Sequence, residues 1–318
     1  MRARRIDLAR WLPYASLLLA AAALAWVAHV LAAYSPGDIL RGLEQLPARS
    51  VALALGFSAA AYGALTLFDY FGLRYCGRTL PYGRVALASF TALSIGHTVG
   101  LAPLSSGAVR YRYYTRWGLR RGEVGLVILF CAVTVALGET AVSAAALLLR
   151  PQTAADILKL GRTSVLALGI GCLLLIVGFL ALCAARRSLK IGRWRLKLPS
   201  WQLALGALGA GLLNYSLVIG AFWSCLSPTV PIDYPTASIA FVLANLAALV
   251  SAVPGGLGVI VAVIVSLLPN SDAAVGVIAF RVTYFLVPFL LGVCLLAATE
   301  LRLRVLRHFT PRMDSQAS

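Results

Sequence analysis

Acidic residues are scarce in this chain: 11 Asp and Glu stand against 28 Lys and Arg, for a net charge of +17 over 318 residues. Charged residues of both signs make up only 12%, too few to cover the surface of a soluble domain of this size. The six cysteines, Cys76, Cys131, Cys172, Cys183, Cys225 and Cys294, show no CxxC or Cys/His spacing, so neither a disulfide framework nor a metal site is indicated. Walker A, HExxH, GxSxG and paired-carboxylate signatures are all missing. No stretch between the apolar runs is long enough to fold as a soluble catalytic domain. These absences exclude ATP-driven work and soluble-enzyme chemistry by this chain alone, and no cofactor or metal is expected. The cationic excess does not point to nucleic acid, because it lies in short bursts between apolar runs, where loop cations set membrane orientation.

What is abundant is apolar sequence, 60% of residues, with a mean hydropathy of +0.87. The chain reads as an all-α polytopic membrane protein, a single transmembrane domain over 1–318. Runs long enough to cross the hydrocarbon core, roughly 20 residues each, fall at about 12–33, 50–71, 124–149, 163–185, 201–225 and 273–299. The first could imitate a signal peptide, but it is long enough to span and lacks a small-x-small cleavage site at a polar boundary. Two further apolar stretches, 85–103 and 236–268, are interrupted at Pro103 and at Pro254-Gly255-Gly256.

The positive-inside rule decides how these two lie. Arg2, Arg4, Arg5 and Arg10 place the amino terminus in the cytoplasm, and Arg74, Arg78 and Arg84 follow the second crossing. Behind 85–103 come Arg110, Arg112, Arg116, Arg120 and Arg121. Both flanks are basic, so the segment is expected to enter and return on the cytoplasmic side. The stretch 236–268 is flanked by Asp233 and by Pro269-Asn270-Ser271-Asp272, without a cation, and should dip in from outside. The final crossing delivers Arg302, Arg304, Arg307 and Arg312 to the cytoplasm, so both termini are placed there, in a bacterial inner membrane. Setting Pro103 on Pro254, an offset of 151 residues, also aligns Phe90 with Phe241, Ser94 with Asn245 and Gly107 with Gly258. Opposite orientation with matched sequence is the pattern of an inverted repeat, here about 50–150 and about 201–299, whose broken helices meet near the midplane and form a binding site.

Charges within a bilayer cost about 2.5–3.5 kcal/mol each on insertion scales and are functional candidates. Glu139 and Arg281 lie at matching depths, which predicts a buried pair, structural or ligand-binding. Asp69, near the cytoplasmic end of the second crossing, either neutralises interfacial arginines or pairs with Arg110 or Arg112 at the mouth of a cavity. His97 is a satisfied intramembrane histidine or a proton relay. Ser105, Ser106 and Gly107 beside Arg110 offer backbone N–H groups and a guanidinium to a phosphate. Arg112, Arg116, Arg120 and Arg121, interleaved with Tyr111, Tyr113, Tyr114 and Trp117, read first as a surface helix on anionic headgroups. Pro254, Gly255, Gly256 and Gly258 form a turn that breaks a helix or lets two backbones approach.

The segments "LTLFDYFGLRYCGRTLPYGRVALASFTALSIGHTVGLAPLSSGAVRYRYYTRWGL", "ANLAALVSAVPGGLGV" and "AFRVTYFLVP" resemble the amino-terminal membrane region of the multiple peptide resistance factor family, the lysyl-phosphatidylglycerol synthases and flippases. The likeness runs through nearly the whole chain. It implies a flippase that moves aminoacylated phosphatidylglycerol from the inner to the outer leaflet and contributes to resistance to cationic antimicrobial peptides. Asn245 and Tyr284 fall within the second and third of these segments and join the candidate translocation residues. A synthase domain or subunit and a homo-oligomer are implied partners; the soluble lysyltransferase domain of that family has no counterpart here. Where the family pattern places an acid shortly after "PGGLGV", this chain has Val261. The other readings are the membrane part of a lipid aminoacyl- or glycosyltransferase, a proton-coupled carrier of a small solute, and a scaffold for a synthase.

Overall fold

Hydrocarbon offers a backbone no hydrogen-bond partners, so apolar runs of this length fold as helices that satisfy their own N–H and C=O groups. The computed structural model describes residues 46–99, 102–185, 188–191, 194–251, 258–268 and 273–309. The run at 12–33 and the amino-terminal arginines lie outside these residues. Over them the chain is an all-α polytopic membrane protein. Helices α1 (Ala48–Tyr75), α2 (Tyr82–Val99), α3 (Ala102–Arg116) and α4 (Arg121–Leu149) are followed by a short α5 (Pro151–Leu158) and by α6 (Arg162–Ala184). A two-stranded hairpin, β1 (Ser188–Ile191) and β2 (Trp194–Lys197), precedes α7 (Trp201–Leu226), α8 (Tyr234–Ser251), α9 (Val259–Leu267) and α10 (Ala273–Arg281). A π-helical turn, Val282–Leu286, then leads into α11 (Val287–Phe309). Among the described residues, five spans are long and apolar enough to cross a membrane: α1, α4, α6, α7 and the continuous Ala273–Arg302.

Both interrupted stretches are helical hairpins. The limbs α2 and α3 pack on each other, as do α8 and α9. In the first, the sequence ends the re-entrant segment at Pro103, with Arg110 at a cavity mouth and Arg112, Arg116, Arg120 and Arg121 on the headgroups. The structure corrects this: α3, with Arg110 and Arg112, is itself the returning limb, and both arginines are buried. The second hairpin restarts at Gly258, whose φ of 78° lies in the left-handed region that a Cβ would strain, before α9 begins. Pro254, Gly255 and Gly256 lie outside the described residues.

The packing of the two hairpin units is matched. α1 lies against α4 and α2 as α7 lies against α10 and α8; α2 meets α11 as α8 meets α4; α3 meets α4 as α9 meets α10. The central contact joins α1 to α7. The backbones of α4 and α7 approach closely, where a Cβ placed on Gly138 would sit 2.6 Å from the carbonyl carbon of Gly211. α6 is peripheral, with Leu174 and Leu175 among the most exposed apolar side chains, as a lipid-facing helix requires.

Polar contacts sort the loops into the two sets that charge alone gave. At one end Arg78 pairs with Glu123 at 3.0 Å, and the Tyr75 hydroxyl donates to the Lys197 carbonyl at 2.5 Å. At the other, Arg150 pairs with Asp233 at 3.3 Å, both about half exposed. Asp233 also caps α8, its Oδ1 accepting from the Thr236 amide at 3.1 Å, and this bonding with Thr236 holds its carboxyl below the usual carboxylate range. Asn caps a helix as well as Asp does, so Asp233→Asn is expected to change stability by less than about 0.5 kcal/mol, the scale of an exposed ion pair. Asp233→Ala, which also removes the cap, is expected to lose about 1 kcal/mol. Thermal unfolding of the two variants in detergent separates the contributions.

Candidate functional site

Helix α3 carries "SSGAVRYRYYTR". At 3.6 residues per turn, Ser106, Arg110 and Tyr114 stack along one stripe, while Arg112 and Arg116 form another on the far side, two positions round. The first stripe meets Asp69 of α1. The guanidinium of Arg110 donates through Nε to Oδ1 and through Nη2 to Oδ2, both at 2.8 Å, in a two-pronged clasp. Its Nη1 donates to the Ser106 hydroxyl at 3.0 Å, and the Tyr114 hydroxyl donates to Asp69 Oδ1 at 2.7 Å. The side chains of Asp69 and Arg110 are 0% and 2% exposed, so both charges are withdrawn from water. Of the two partners the sequence allowed Asp69, the structure selects Arg110.

The second stripe meets Glu300 of α11. Arg112 Nε donates to Glu300 Oε1 at 2.6 Å and its Nη2 reaches Oε2, while Arg116 Nη1 lies 3.0 Å from Oε1. The Tyr113 hydroxyl bonds Thr299 Oγ1 at 2.8 Å. Arg112 is therefore an internal clamp between a hairpin limb and the last helix, which Arg116 joins from an exposed position. The headgroup reading remains for Arg116, Arg120 and Arg121, which are exposed. The phosphate reading of Ser105, Ser106 and Gly107 also changes. Ser106 and Gly107 stand past the first turn of α3, where amides are already committed to carbonyls four residues back. The Ser106 hydroxyl serves Arg110, and Gly107 lets Ile128 of α4 approach, its Cδ1 only 3.2 Å from where a Cβ would be.

Glu139 follows Gly138 at the α4–α7 crossing, and Tyr215 stands one turn beyond Gly211 on the facing helix. The carboxylate is 8% exposed; its Oε2 accepts from Asn245 Nδ2 of α8 at 2.6 Å, and Tyr215 is its other polar neighbour. The expected Glu139–Arg281 ion pair is not formed. Depth along the membrane normal gave no information on position in its plane: Glu139 faces α7 and α8, whereas Arg281 ends α10, which packs on α7 and α9.

His97, half-buried at the end of α2, stacks on Tyr284 with ring centroids 6.3 Å apart and lies 6.1 Å from the Tyr62 ring. Its Nδ1 makes no hydrogen bond among the described residues, and the two tyrosine rings enclose it. Tyr284 sits in the π turn, a wide turn that recurs at functional sites, and its carbonyl accepts from the Tyr62 hydroxyl at 3.3 Å. Gly258 is exposed at the start of α9, and Val261, half-buried one turn into it, occupies the position that the 151-residue offset matches to Arg110.

No protein-family model matches the chain. It is 28% identical over 295 residues to the uncharacterized protein slr0712 of Synechocystis sp., covering 90% of this chain and 89% of that one. It is 27% identical over 261 residues to the inner membrane protein YbhN of Escherichia coli, covering 80% and 81%. The second of these relatives is a protein of the inner membrane.

Sequence reasoning missed Glu300, Tyr114, Tyr215 and Tyr62. Glu300 had a signal: it is the single acid in a strongly basic last helix end. Tyr114 had one too, at four residues from Arg110. Tyr215 and Tyr62 carried none, since tyrosine in an apolar run gives no sign of which neighbour it faces.

Proposed function

We propose that this chain moves an anionic phospholipid, phosphatidylglycerol or its aminoacylated form, between the leaflets of a bacterial cytoplasmic membrane. The observation that carries the reading is the Asp69–Arg110 clasp with Ser106 and Tyr114, buried on the returning limb of a broken hairpin. A phosphate offers a guanidinium the same two-pronged oxygen geometry as a carboxylate. Asp69 thus holds Arg110 in place of a phosphate and releases it when one arrives. Glu139 with Asn245 and Tyr215 forms a second polar station, against the other hairpin. The matched packing of the two units supports an inverted repeat, and with it alternating access to the two faces. Inner-membrane localisation, a synthase partner and a homo-oligomer belong to the same reading, which the likeness to the multiple peptide resistance factor segments suggests.

The test uses purified chain in proteoliposomes holding phosphatidylglycerol with a fluorescent tag that dithionite bleaches only in the outer leaflet. Wild type is expected to bring the inner pool to the reductant. A folded Asp69→Leu/Arg110→Met variant leaves it protected. An inner pool equally protected with folded wild type and with empty vesicles contradicts the proposal.

A further inference from the structure

Among the described residues two carboxylates are buried, Asp69 and Glu139, and a third, Glu300, is partly buried; Glu139 is treated differently from the other two. Asp69 and Glu300 are each clasped by arginine. Glu139 has no cation within ion-pairing distance among the described residues, and its Oε1 receives no hydrogen bond. Its polar neighbours are Tyr215 of α7 and Asn245 of α8, both neutral. The other helices packed on α4 bring their charges elsewhere. α1 contributes Asp69 and α3 contributes Arg110, which hold each other. Asp156 of α5 accepts from Gln152, and α6 is uncharged beyond Arg162 at its start.

An ionised carboxylate accepts at both oxygens and needs a compensating charge when taken out of water. This setting supplies one firm donor and no cation. A carboxylic acid, which carries its own O–H on Oε1 and accepts at Oε2, matches it. We infer that Glu139 is a proton-exchanging residue: it holds a proton in the closed bundle and releases it when the polar interior opens to water. In that step the O–H bond at Oε1 breaks, the electron pair stays on the carboxylate, and the proton passes to water. Tyr215 and Asn245, both hydrogen-bond donors, remain to steady the anion. Coupling of this exchange to lipid movement rests on the proposed function; the proton site itself does not.

Infrared difference spectroscopy of the full chain in lipid nanodiscs reads the site directly. At neutral pH wild type is expected to show a protonated-carboxyl C=O band that shifts in D2O. Glu139→Gln lacks the band, and Glu139→Asp retains one at a displaced frequency, which separates loss of the proton from loss of fold. Absence of the band in wild type, or its survival in Glu139→Gln, overturns the site. Proteoliposomes with tagged phosphatidylglycerol then read the coupling. Imposing a gradient of about one pH unit is expected to change the wild-type rate about tenfold for one proton per cycle, and the ratio falls to about one in Glu139→Gln. Lipid movement indifferent to the gradient overturns the coupling and leaves the translocator standing. A band without any lipid movement removes the coupling together with the proposed function and leaves the proton site.

Discussion

Removing either member of the Asp69–Arg110 pair is expected to destabilise the protein by about 3–5 kcal/mol, because each single change strands an uncompensated charge in the bundle. The double variant Asp69→Leu/Arg110→Met, which replaces both with apolar groups of similar volume, should recover most of that loss, since the desolvation penalty of the two charges disappears with them. Both side chains are almost fully buried and bonded in two places, so no water is at hand to soften the single changes. Arg110→Ala also removes the guanidinium donor to the Ser106 hydroxyl, while the Tyr114 hydroxyl still donates to Asp69. Detergent-solubilised variants compared by thermal unfolding and size-exclusion chromatography give the reading. Single variants as stable as wild type would show that water or lipid reaches the pair. A double variant as unstable as the singles would show that α3 depends on the clasp for its seat.

The second large effect is expected at the crossing of α4 and α7. A Cβ on Gly138 would lie within 2.9 Å of three backbone atoms of Gly211, and one on Gly211 would lie 2.7 Å from the Thr134 carbonyl oxygen. These neighbours are main chain and cannot turn aside as a side chain would. Gly138→Leu or Gly211→Leu must therefore separate the two helices, with an expected loss of about 3 kcal/mol or more, the upper range for overpacked cores. Gly63 and Gly209, whose added Cβ atoms would meet nothing, serve as controls: alanine there should change stability by less than about 1 kcal/mol. Separation at the crossing also moves Tyr215 away from Glu139, so any Gly211 variant that still folds should alter the infrared signature of that carboxylate. Equal stability of Gly138→Leu and Gly63→Ala would show that the helices do not cross here.

The fold was largely legible in the sequence where hydrophobic length carries the information. Runs read at 50–71, 124–149, 163–185, 201–225 and 273–299 correspond to helices Ala48–Tyr75, Arg121–Leu149, Arg162–Ala184, Trp201–Leu226 and the span Ala273–Arg302. The hairpins were legible because each is flanked on both sides by the same charge type. The place of the first return was not, since a helix with three arginines reads as surface until its two stripes are matched to acids on α1 and α11. The short helix Pro151–Leu158 and the strands of 188–197 went unseen because a polar connection shows neither a long apolar run nor a strong period. The site was legible in part. Asp69 with Arg110 follows from two opposite charges at one membrane level. Glu139 with Asn245 does not, because level alone pointed to Arg281 and only the tertiary crossing of α4 and α7 chooses the neighbour.

The claim on which the account depends is that the two hairpins enter from opposite faces of the membrane. Single cysteines in a background without the six native ones, probed with a membrane-impermeant maleimide, test it. Thr79→Cys and Arg120→Cys flank the first hairpin at exposed positions; Pro228→Cys, exposed, and Asn270→Cys flank the second. The account predicts labelling of the first two only from the cytoplasmic side and of the last two only from the outside. Labelling of all four from one side, or of Thr79→Cys and Arg120→Cys from different sides, contradicts it.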